Sequence, residues 1–210
     1  MWYRFVWFFL QPLVRLYFRL TVEGKENMPK TGPVLLASNH CSHLDPPLIA
    51  LSVFRRLTFL AKEELFSVPV LGSLILSFGA HPVARGQGDV KAIRTALRLL
   101  KEGDVLLIFP EGTRSEDGHL QIFENGLAWL SLRAGVPVVP MHITGTYEAY
   151  PKGARFPRPA KVHVRLGAPI YPETGRNENN SVNSERVRYY THAIQTVMSA
   201  LAAPPEKSAL

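Results

Sequence analysis

Residues 89–115, DVKAIRTALRLLKEGDVLLIFPEGTRS, combine an amphipathic helix with the buried strand that follows it. Asp89 is of a residue type that caps helix N-termini, and Gly103 is of the type that ends helices. The apolar side chains between them recur at helical spacing and predict a core face made of Val90, Ile93, Leu97 and Leu100. Val105–Phe109 is apolar throughout, as expected for a strand buried on both faces of a parallel sheet. This unit predicts an α/β fold.

The flanking sequence continues the alternation of strand and helix. Further strands are predicted at Val34–Ala37, Leu57–Ala61, Ala80–Val83, Val136–Pro140 and Lys161–Leu166. Helices are predicted over Pro47–Phe54, near Glu124–Ala134, and in a last segment whose apolar face is Val187, Tyr190, Ile194, Val197 and Leu201. Leu71–Phe78 is apolar and fits either a helix or a strand. We therefore expect a mostly parallel central sheet covered by helices.

The composition of the 210-residue chain limits its class and its partners. Hydrophobic residues make up 46% and charged residues 20%, which is enough apolar surface for one full core and excludes wholesale disorder. Twenty-four Lys and Arg against 17 Asp and Glu give a net charge of +7, which suits an anionic partner. A phosphate-bearing substrate or an anionic membrane surface fits, and no nucleic-acid partner is expected. Cys41 is the single cysteine, so no intrachain disulfide can form and a reducing compartment is expected.

The first twenty residues, MWYRFVWFFLQPLVRLYFRL, are rich in aromatic side chains and contain three Arg and no acidic residue. At 100° per residue, the polar side chains fall in one narrow wedge of a helix, and apolar ones cover much of the rest. The wedge contains Arg4, Gln11, Arg15 and Arg19. This pattern is typical of an amphipathic helix that lies in a membrane interface, with its Arg side chains reaching lipid phosphates.

Three other interpretations of this segment are a secretory signal peptide, a membrane-spanning helix and a core helix of the main domain. Gln11 and Pro12 interrupt the apolar run, which disfavours both a secretory signal peptide and a membrane-spanning helix. A core helix of the main domain is the alternative that stays open. Pro12 is expected to kink or split the helix. The predicted domains are an interfacial helical segment over residues 1–21, the main domain over 22–201 and a flexible tail over 202–210.

A polar cluster, SNHCSHLDP at residues 38–46, directly follows the predicted strand Val34–Ala37. Open α/β sheets bind ligands beyond the carboxyl ends of their strands, so this cluster is a candidate site. If a tight turn brings Asp45 to His40, the carboxylate accepts from Nδ1–H and leaves Nε2 free as a general base. A helix cap formed by Asn39 or Ser42 beside an incidental histidine is the alternative.

The same cluster contains four potential metal ligands, namely His40, Cys41, His43 and Asp45. Adjacent His40 and Cys41 are poorly placed to reach one ion together, so no metal site is predicted.

A second polar cluster, PEGTRS at residues 110–115, follows the predicted strand Val105–Phe109. Gly112 allows close approach of an anion, and its N–H can converge on that anion with those of Thr113 and Arg114. Arg114 adds a planar guanidinium suited to phosphate. Glu111 would repel phosphate, so it is expected to hold Arg114 or a substrate hydroxyl. An ordinary turn with a salt bridge is the alternative, and the glycine-rich P-loop pattern of nucleotide-binding proteins is not present.

Four ordered motifs resemble those of the glycerophosphate and lysophosphatidate acyltransferase family. They are NHCSHLD, the GAHPVARG segment, FPEGTRS and VPVVPMHITGT, and the match extends from about Val22 to Thr146. Four motifs in the right order form a much more specific signal than any one of them.

The resemblance implies a role for each matching residue. His40 is implied as the general base and Asp45 as its orienting partner. The acceptor's phosphate is implied to bind Arg85, Gly112, Thr113 and Arg114. Glu111 is implied to support that phosphate site, and Lys62 matches a family lysine associated with the oxyanion. Two departures concern substrate preference: His81 stands where many members have an apolar residue, and Glu124-Asn125 replaces a commonly basic pair.

The activity implied by the resemblance is transfer of a fatty acyl group from acyl-CoA or acyl carrier protein. The acceptor is the sn-2 hydroxyl of 1-acyl-glycerol 3-phosphate, and the product is phosphatidate. No metal or organic cofactor is expected. Alternatives are another acceptor, either glycerol 3-phosphate or a lyso-phospholipid, and a non-catalytic lipid-binding protein. The expected location is the cytoplasmic face of the cell membrane, with peripheral, monotopic attachment.

Overall fold

A computed structural model describes residues 11–69, 71–83, 88–173 and 182–203. Within these ranges the strands are β1 Thr21–Glu23, β2 Val34–Ser38, β3 Leu57–Lys62, β4 Ala80–Val83, β5 Val105–Ile108, β6 Val138–Thr144 and β7 His163–Leu166. They form one sheet in the order β1-β7-β6-β2-β5-β3-β4. All neighbouring strands are parallel except β6 and β7. The predicted mostly parallel sheet is confirmed.

Helices lie on both faces of this sheet. They are α1 over residues 11–17, α2 Asp45–Ser52, α3 Leu71–Ser77, α4 Gly88–Lys101, α5 Gly126–Ala134, α6 Thr146–Ala149 and α7 Ser184–Ala202. Short 3-10 turns occur at Lys25–Asn27 and Glu63–Ser67. The apolar segment that fitted either a helix or a strand is therefore helical. Among the described residues, no helix combines the length and the hydropathy needed to cross a membrane.

The core has two layers because successive strand residues point to opposite faces. On one face, Leu36 and Leu107 pack with α2 and with parts of α1 and α3. On the other face, Leu35 and Leu106 pack with α4, α5 and α7. Each fully buried large aliphatic side chain contributes about 1.5–3 kcal/mol relative to exposure, so burial on both faces stabilises the central strands.

Several predicted boundaries differ from the observed ones by one or more residues, and two of these differences have an identifiable cause. Helix α4 begins at Gly88, so Asp89 is its second residue rather than its cap, and Val90 is 60% exposed. Strand β6 begins two residues later than predicted and continues past Pro140 to Thr144. That extension is stabilised by antiparallel pairing with β7, a long-range contact that periodicity does not report.

The end of the predicted interfacial segment belongs to the main domain. Phe18 and Leu20 are buried in the core, and Thr21 begins β1, so the predicted boundary at residue 21 lies too late in the chain. Arg15 is half-buried and donates a hydrogen bond to the Leu51 carbonyl at 2.6 Å. Its guanidinium therefore faces the protein rather than a lipid phosphate, because the last carbonyls of α2 lack partners within the helix.

Parts of three predictions lie outside the described residues. These are the interfacial helix over residues 1–10, with Arg4, and the flexible tail beyond residue 203. The third is the site residue Arg85.

Candidate active site

Three neighbouring parallel strands deliver the predicted site residues to one edge of the sheet. The strands β2, β5 and β3 are adjacent, and their carboxyl ends lead into His40, into Phe109–Arg114 and to Lys62. Because parallel strands end at the same edge, segments far apart in the sequence meet there.

The structure brings His40 and Asp45 together through a tight turn. Asp45 is the first residue of α2 and is completely buried. Its Oδ2 atom lies 2.8 Å from His40 Nδ1, and it accepts from the N–H groups of Cys41 at 2.7 Å and Ser42 at 2.8 Å. A carboxylate only accepts, so His40 carries its proton on Nδ1 and leaves Nε2 free. The His40 side chain is 18% exposed, which leaves the ring accessible to a substrate.

Phe109 and the loop after β5 fix the position of His40. The two rings stack with centroids 3.9 Å apart and planes inclined by 16°. The His40 N–H donates to Glu111 Oε1 at 2.8 Å, and its carbonyl accepts from the Ser115 N–H at 2.7 Å. His40 is thus held at its backbone N–H and carbonyl, at the ring atom Nδ1 and on one face of the ring. The Nε2 atom is left as the reactive edge of the ring.

The contacts of Glu111 differ from the expected pairing with Arg114. It is buried, and its Oε2 atom accepts from the Gln121 N–H at 3.0 Å while Oε1 binds His40. No ion pair joins it to Arg114 within the described ranges. Burial raises the pKa of Glu111 and the hydrogen bonds lower it, with burial the larger cause. Glu111 therefore connects two site loops rather than orienting Arg114.

The loop after β5 keeps only part of the predicted anion-binding geometry. Gly112 has a φ of 69°, a left-handed conformation that favours glycine. Its N–H donates to the Phe109 carbonyl at 3.1 Å and so does not point into an anion site, which corrects the prediction. Thr113 is exposed, and Arg114 is half-buried. Within the described ranges the Arg114 guanidinium has no hydrogen-bond or ion-pair partner, so it is free to bind a substrate anion.

Charges of both signs act on the segment between His40 and Asp45. Burial lowers the pKa of His43, the charges of Arg114, His40 and Lys62 lower it further, and the charge of Asp45 raises it. Lys62 is exposed at the end of β3.

Two residues singled out as departures from the family pattern have different surroundings. His81 is in β4, and burial lowers its pKa, followed by the charge of Arg98. Within the sheet it pairs with Leu60 of β3, two residues before Lys62. Glu124 lies at the site, because a Cβ built on Gly112 would be 2.7 Å from Glu124 Oε1.

Several site residues were missed in sequence reasoning, or considered only as helix caps. Phe109 was treated as the end of a strand, although an aromatic side chain just before a polar cluster is a usable signal. Asn39 exchanges two hydrogen bonds with the backbone of Ile143, at 2.9 and 2.8 Å, and ties the end of β2 to β6.

Burial raises the pKa of the Cys41 thiol to about 12, which keeps it neutral. No group of three metal-ligating side chains occurs in the described part of the chain.

Comparison with known proteins identifies the family. The family model described as Acyltransferase matches residues 19–144, a range that contains the His40–Asp45 turn and the loop after β5. The chain belongs to the acyltransferase family.

Individual relatives extend this match. The chloroplastic 1-acyl-sn-glycerol-3-phosphate acyltransferase LPAT1 of Arabidopsis thaliana is 34% identical over 74% of this chain and 44% of its own length. A Bacillus subtilis 1-acyl-sn-glycerol-3-phosphate acyltransferase is 29% identical over 80% of this chain and 82% of its own. The crystal structure of the 1-acyl-sn-glycerophosphate acyltransferase PlsC from Thermotoga maritima has a TM-score of 0.71 and 30% identity, covering 94% and 81% of the two chains. The chain spans about half the length of the plant relatives it matches.

Proposed function

We propose that this acyltransferase moves a fatty acyl group from a thioester to the sn-2 hydroxyl of 1-acyl-glycerol 3-phosphate, forming phosphatidate. The observation that carries the proposal is the His40–Asp45 pair with Nε2 free, joined to the loop that contains Arg114 by the hydrogen bond from the Ser115 N–H to the His40 carbonyl. Relatives that are named 1-acyl-sn-glycerol-3-phosphate acyltransferases support the same reaction. Acyl-CoA and acyl carrier protein both remain candidate donors.

The proposed mechanism is direct transfer without an acyl-enzyme. His40 Nε2 removes the proton from the acceptor hydroxyl as its oxygen attacks the thioester carbonyl. The carbon–sulfur bond then breaks, and the proton passes from His40 to the departing thiolate, so the products are an ester and a thiol. Asp45 holds the Nδ1–H tautomer and stabilises the imidazolium that forms between the two steps. Lys62 is the candidate partner of the oxyanion.

The acceptor's phosphate is proposed to bind at the Arg114 side of the site. Arg114 offers two parallel N–H groups, and Thr113 adds a hydroxyl. Arg85 stays a proposed third ligand, and Gly112 contributes backbone shape rather than its N–H. Glu111 acts through the position of His40 and of the loop.

A second acceptor is favoured by the position of Glu124. Its carboxylate lies against Gly112, where it would repel a bare phosphate and attract an ammonium group. A zwitterionic lyso-phospholipid, with an ammonium beside its phosphate, is therefore the alternative acceptor for the same chemistry.

Attachment to a membrane surface is proposed from the exposed face of α1. Leu13 and Leu16 are 63% and 76% exposed, and Tyr17 beside them is also exposed. An apolar helix face of this kind fits peripheral, monotopic contact with a lipid interface. We propose the cytoplasmic face of the cell membrane, where either donor would be accessible.

The proposed reaction is tested by incubating the purified protein with mixed lyso-acceptors and both donors, followed by lipid mass spectrometry. His40→Ala should reduce acyl transfer by about 10²–10⁴-fold, the usual contribution of a general base. His192→Ala, an exposed site on α7, is the matched control and should retain full turnover. Near-normal transfer by His40→Ala with an unchanged circular dichroism spectrum would contradict the mechanism.

The phosphate assignment is tested separately with Arg114→Ala. This change should lower kcat/KM for phosphate-bearing acceptors by about 10-fold or more, as expected for loss of a charge-assisted pair. Arg114→Lys should restore only part of the activity because the planar two-pronged geometry is lost. Arg94→Ala on the exposed side of α4 is the control. Equal losses for acceptors with and without phosphate would contradict the role of Arg114.

A further inference from the structure

A basic segment with an exposed aromatic tip connects α6 to β7. Residues 151–161, PKGARFPRPAK, contain four cations and no acidic residue, and we name this segment the basic loop. Phe156 is 69% exposed, and the Arg155 guanidinium lies 5.6 Å from its ring centroid. Lys152 pairs with Glu116 at 2.5 Å. Within the described ranges no ion pair involves the three remaining cations, Arg155, Arg158 and Lys161.

The loop is held in place by the residues around it. Its backbone turns back on itself where the Arg158 N–H donates to the Ala149 carbonyl at 2.7 Å. Three prolines restrict its backbone, at positions 151, 157 and 159. A restricted loop loses less conformational freedom when a partner binds, which leaves more of the contact energy for affinity.

One end of the basic loop adjoins α1. The Tyr17 hydroxyl donates to the Pro157 carbonyl at 3.1 Å, next to Phe156 in the chain. The exposed leucines of α1, Leu13 and Leu16, lie on the turn that precedes Tyr17. The apolar surface of α1 therefore continues towards a second aromatic element that carries its own cations.

The other end of the basic loop adjoins both loops of the active site. The Ser42 hydroxyl, within the His40–Asp45 turn, donates to the Tyr150 carbonyl at 2.8 Å. The Lys152–Glu116 pair connects the loop to the segment just after Arg114. A surface that engages the basic loop is thereby held next to His40 and Arg114.

We propose that the basic loop is a second membrane contact, which inserts Phe156 into the interface and places Arg155 and Arg158 against anionic lipid headgroups. Its free cations complement anionic headgroups, and an exposed aromatic ring fits the boundary between headgroups and hydrocarbon. Continuity with the leucines of α1 favours lipid over an acidic protein, which would leave that apolar surface uncovered. The consequence for catalysis rests on the proposed function, since it requires an acceptor that resides in the membrane.

Binding is tested with the full chain and vesicles of phosphatidylcholine, with or without phosphatidylglycerol. Each Lys or Arg near an anionic surface contributes about 1 kcal/mol, so R155Q/R158Q should weaken binding to anionic vesicles by about 10- to 30-fold. That difference should shrink at high salt. Phe156→Ser should weaken binding at both low and high salt, because its contribution is apolar. R188Q/Y189S is the matched control, an exposed basic–aromatic pair on α7 at the opposite face of the sheet.

Activity gives an independent measurement on the same variants. Acyl transfer to an acceptor embedded in anionic vesicles should fall in parallel with binding, whereas transfer to a dispersed short-chain acceptor should be unchanged. If the unaltered chain acylates neither acceptor, the proposed function fails. Vesicle binding still tests separately whether the basic loop contacts the membrane. Binding by R155Q/R158Q and Phe156→Ser equal to that of the control pair would overturn the proposal. Selective loss of transfer from acyl carrier protein, with vesicle binding intact, would reassign the loop to an acidic protein and also overturn it.

Discussion

The Oδ2 atom of Asp45 accepts from the His40 ring and from two successive backbone N–H groups, those of Cys41 and Ser42. One oxygen therefore closes the turn and selects the tautomer of His40. Spacing alone indicated that a turn could bring the two side chains together. It did not indicate the backbone donors or the stacking of Phe109, because those depend on how β2 and β5 lie side by side.

Asp45→Asn should separate the catalytic and structural consequences of this contact. An amide in this position keeps one accepting oxygen, which can replace Oδ2, but it carries no charge to stabilise the imidazolium that forms on His40. Acyl transfer should therefore fall by about 10²–10⁴-fold, the scale of a general base that has lost its function. The free energy of unfolding, measured in urea, should fall by about 1–3 kcal/mol because the amide NH2 group takes the place of Oδ1, a buried atom with no hydrogen-bond partner among the described residues.

A matched control for this change is Asp117→Asn. Asp117 also closes a turn, by accepting from the His119 N–H at 2.9 Å, but it is exposed. Its replacement should leave turnover within a few-fold of the unaltered protein. Retention of more than a tenth of the activity by Asp45→Asn would contradict the assigned role of Asp45.

At the scale of elements, the local sequence pattern predicted which segments form strands and which form helices. Several element boundaries depend instead on pairing with strands that are distant in the sequence. The run Val105–Phe109 predicted a central strand correctly because burial on both faces leaves a continuous apolar signature. The prediction ended strand β6 at Pro140, whereas the strand continues through His142 to Thr144. Pairing of His142 with Arg165 of β7 extends it, and that contact joins residues distant in the chain.

His142 makes the stability of this strand pair dependent on pH. Burial, followed by the charge of Arg165, lowers the pKa of His142 from 6.5 to about 4. Between these values the unfolded chain binds more protons than the folded one, so stability falls as the pH falls through this window. The contribution of His142 should decrease by about 2 kcal/mol between pH 7.5 and pH 5.

Urea unfolding of His142→Leu at both pH values tests this contribution. Between pH 7.5 and pH 5, the free energy of unfolding of the variant should fall by about 2 kcal/mol less than that of the unaltered protein. The comparison isolates His142, because the lowered pKa values of His43 and His81 and the raised pKa of Glu111 are common to both proteins. His192→Leu on the exposed side of α7 is the control. Identical pH dependence in all three proteins would contradict the prediction.

At the scale of the whole molecule, the candidate site and the proposed membrane surfaces are physically connected. Arg15 links α1 to the end of α2, which begins at Asp45, and Tyr17 links α1 to the basic loop. Composition predicted an apolar N-terminal segment, but the direction in which Arg15 points was not predictable. It depends on the Leu51 carbonyl at the end of α2, which accepts from Arg15 and lies 36 positions away in the chain.

The orientation of α1 predicts which side chains contact lipid. Because Arg15 faces the protein, the membrane contact of α1 should depend on Leu13 and Leu16, and L13S/L16S in the full chain should weaken vesicle binding by about 10-fold or more. This loss should persist in high salt, since apolar burial is not screened, whereas loss of the Arg155 and Arg158 contribution should be confined to low salt. Val90→Ser is the matched control, because Val90 is also exposed but lies on α4, which packs on the opposite face of the sheet. Flotation of L13S/L16S equal to that of the unaltered chain, at either ionic strength, would instead favour the interpretation of α1 as an ordinary helix of the domain.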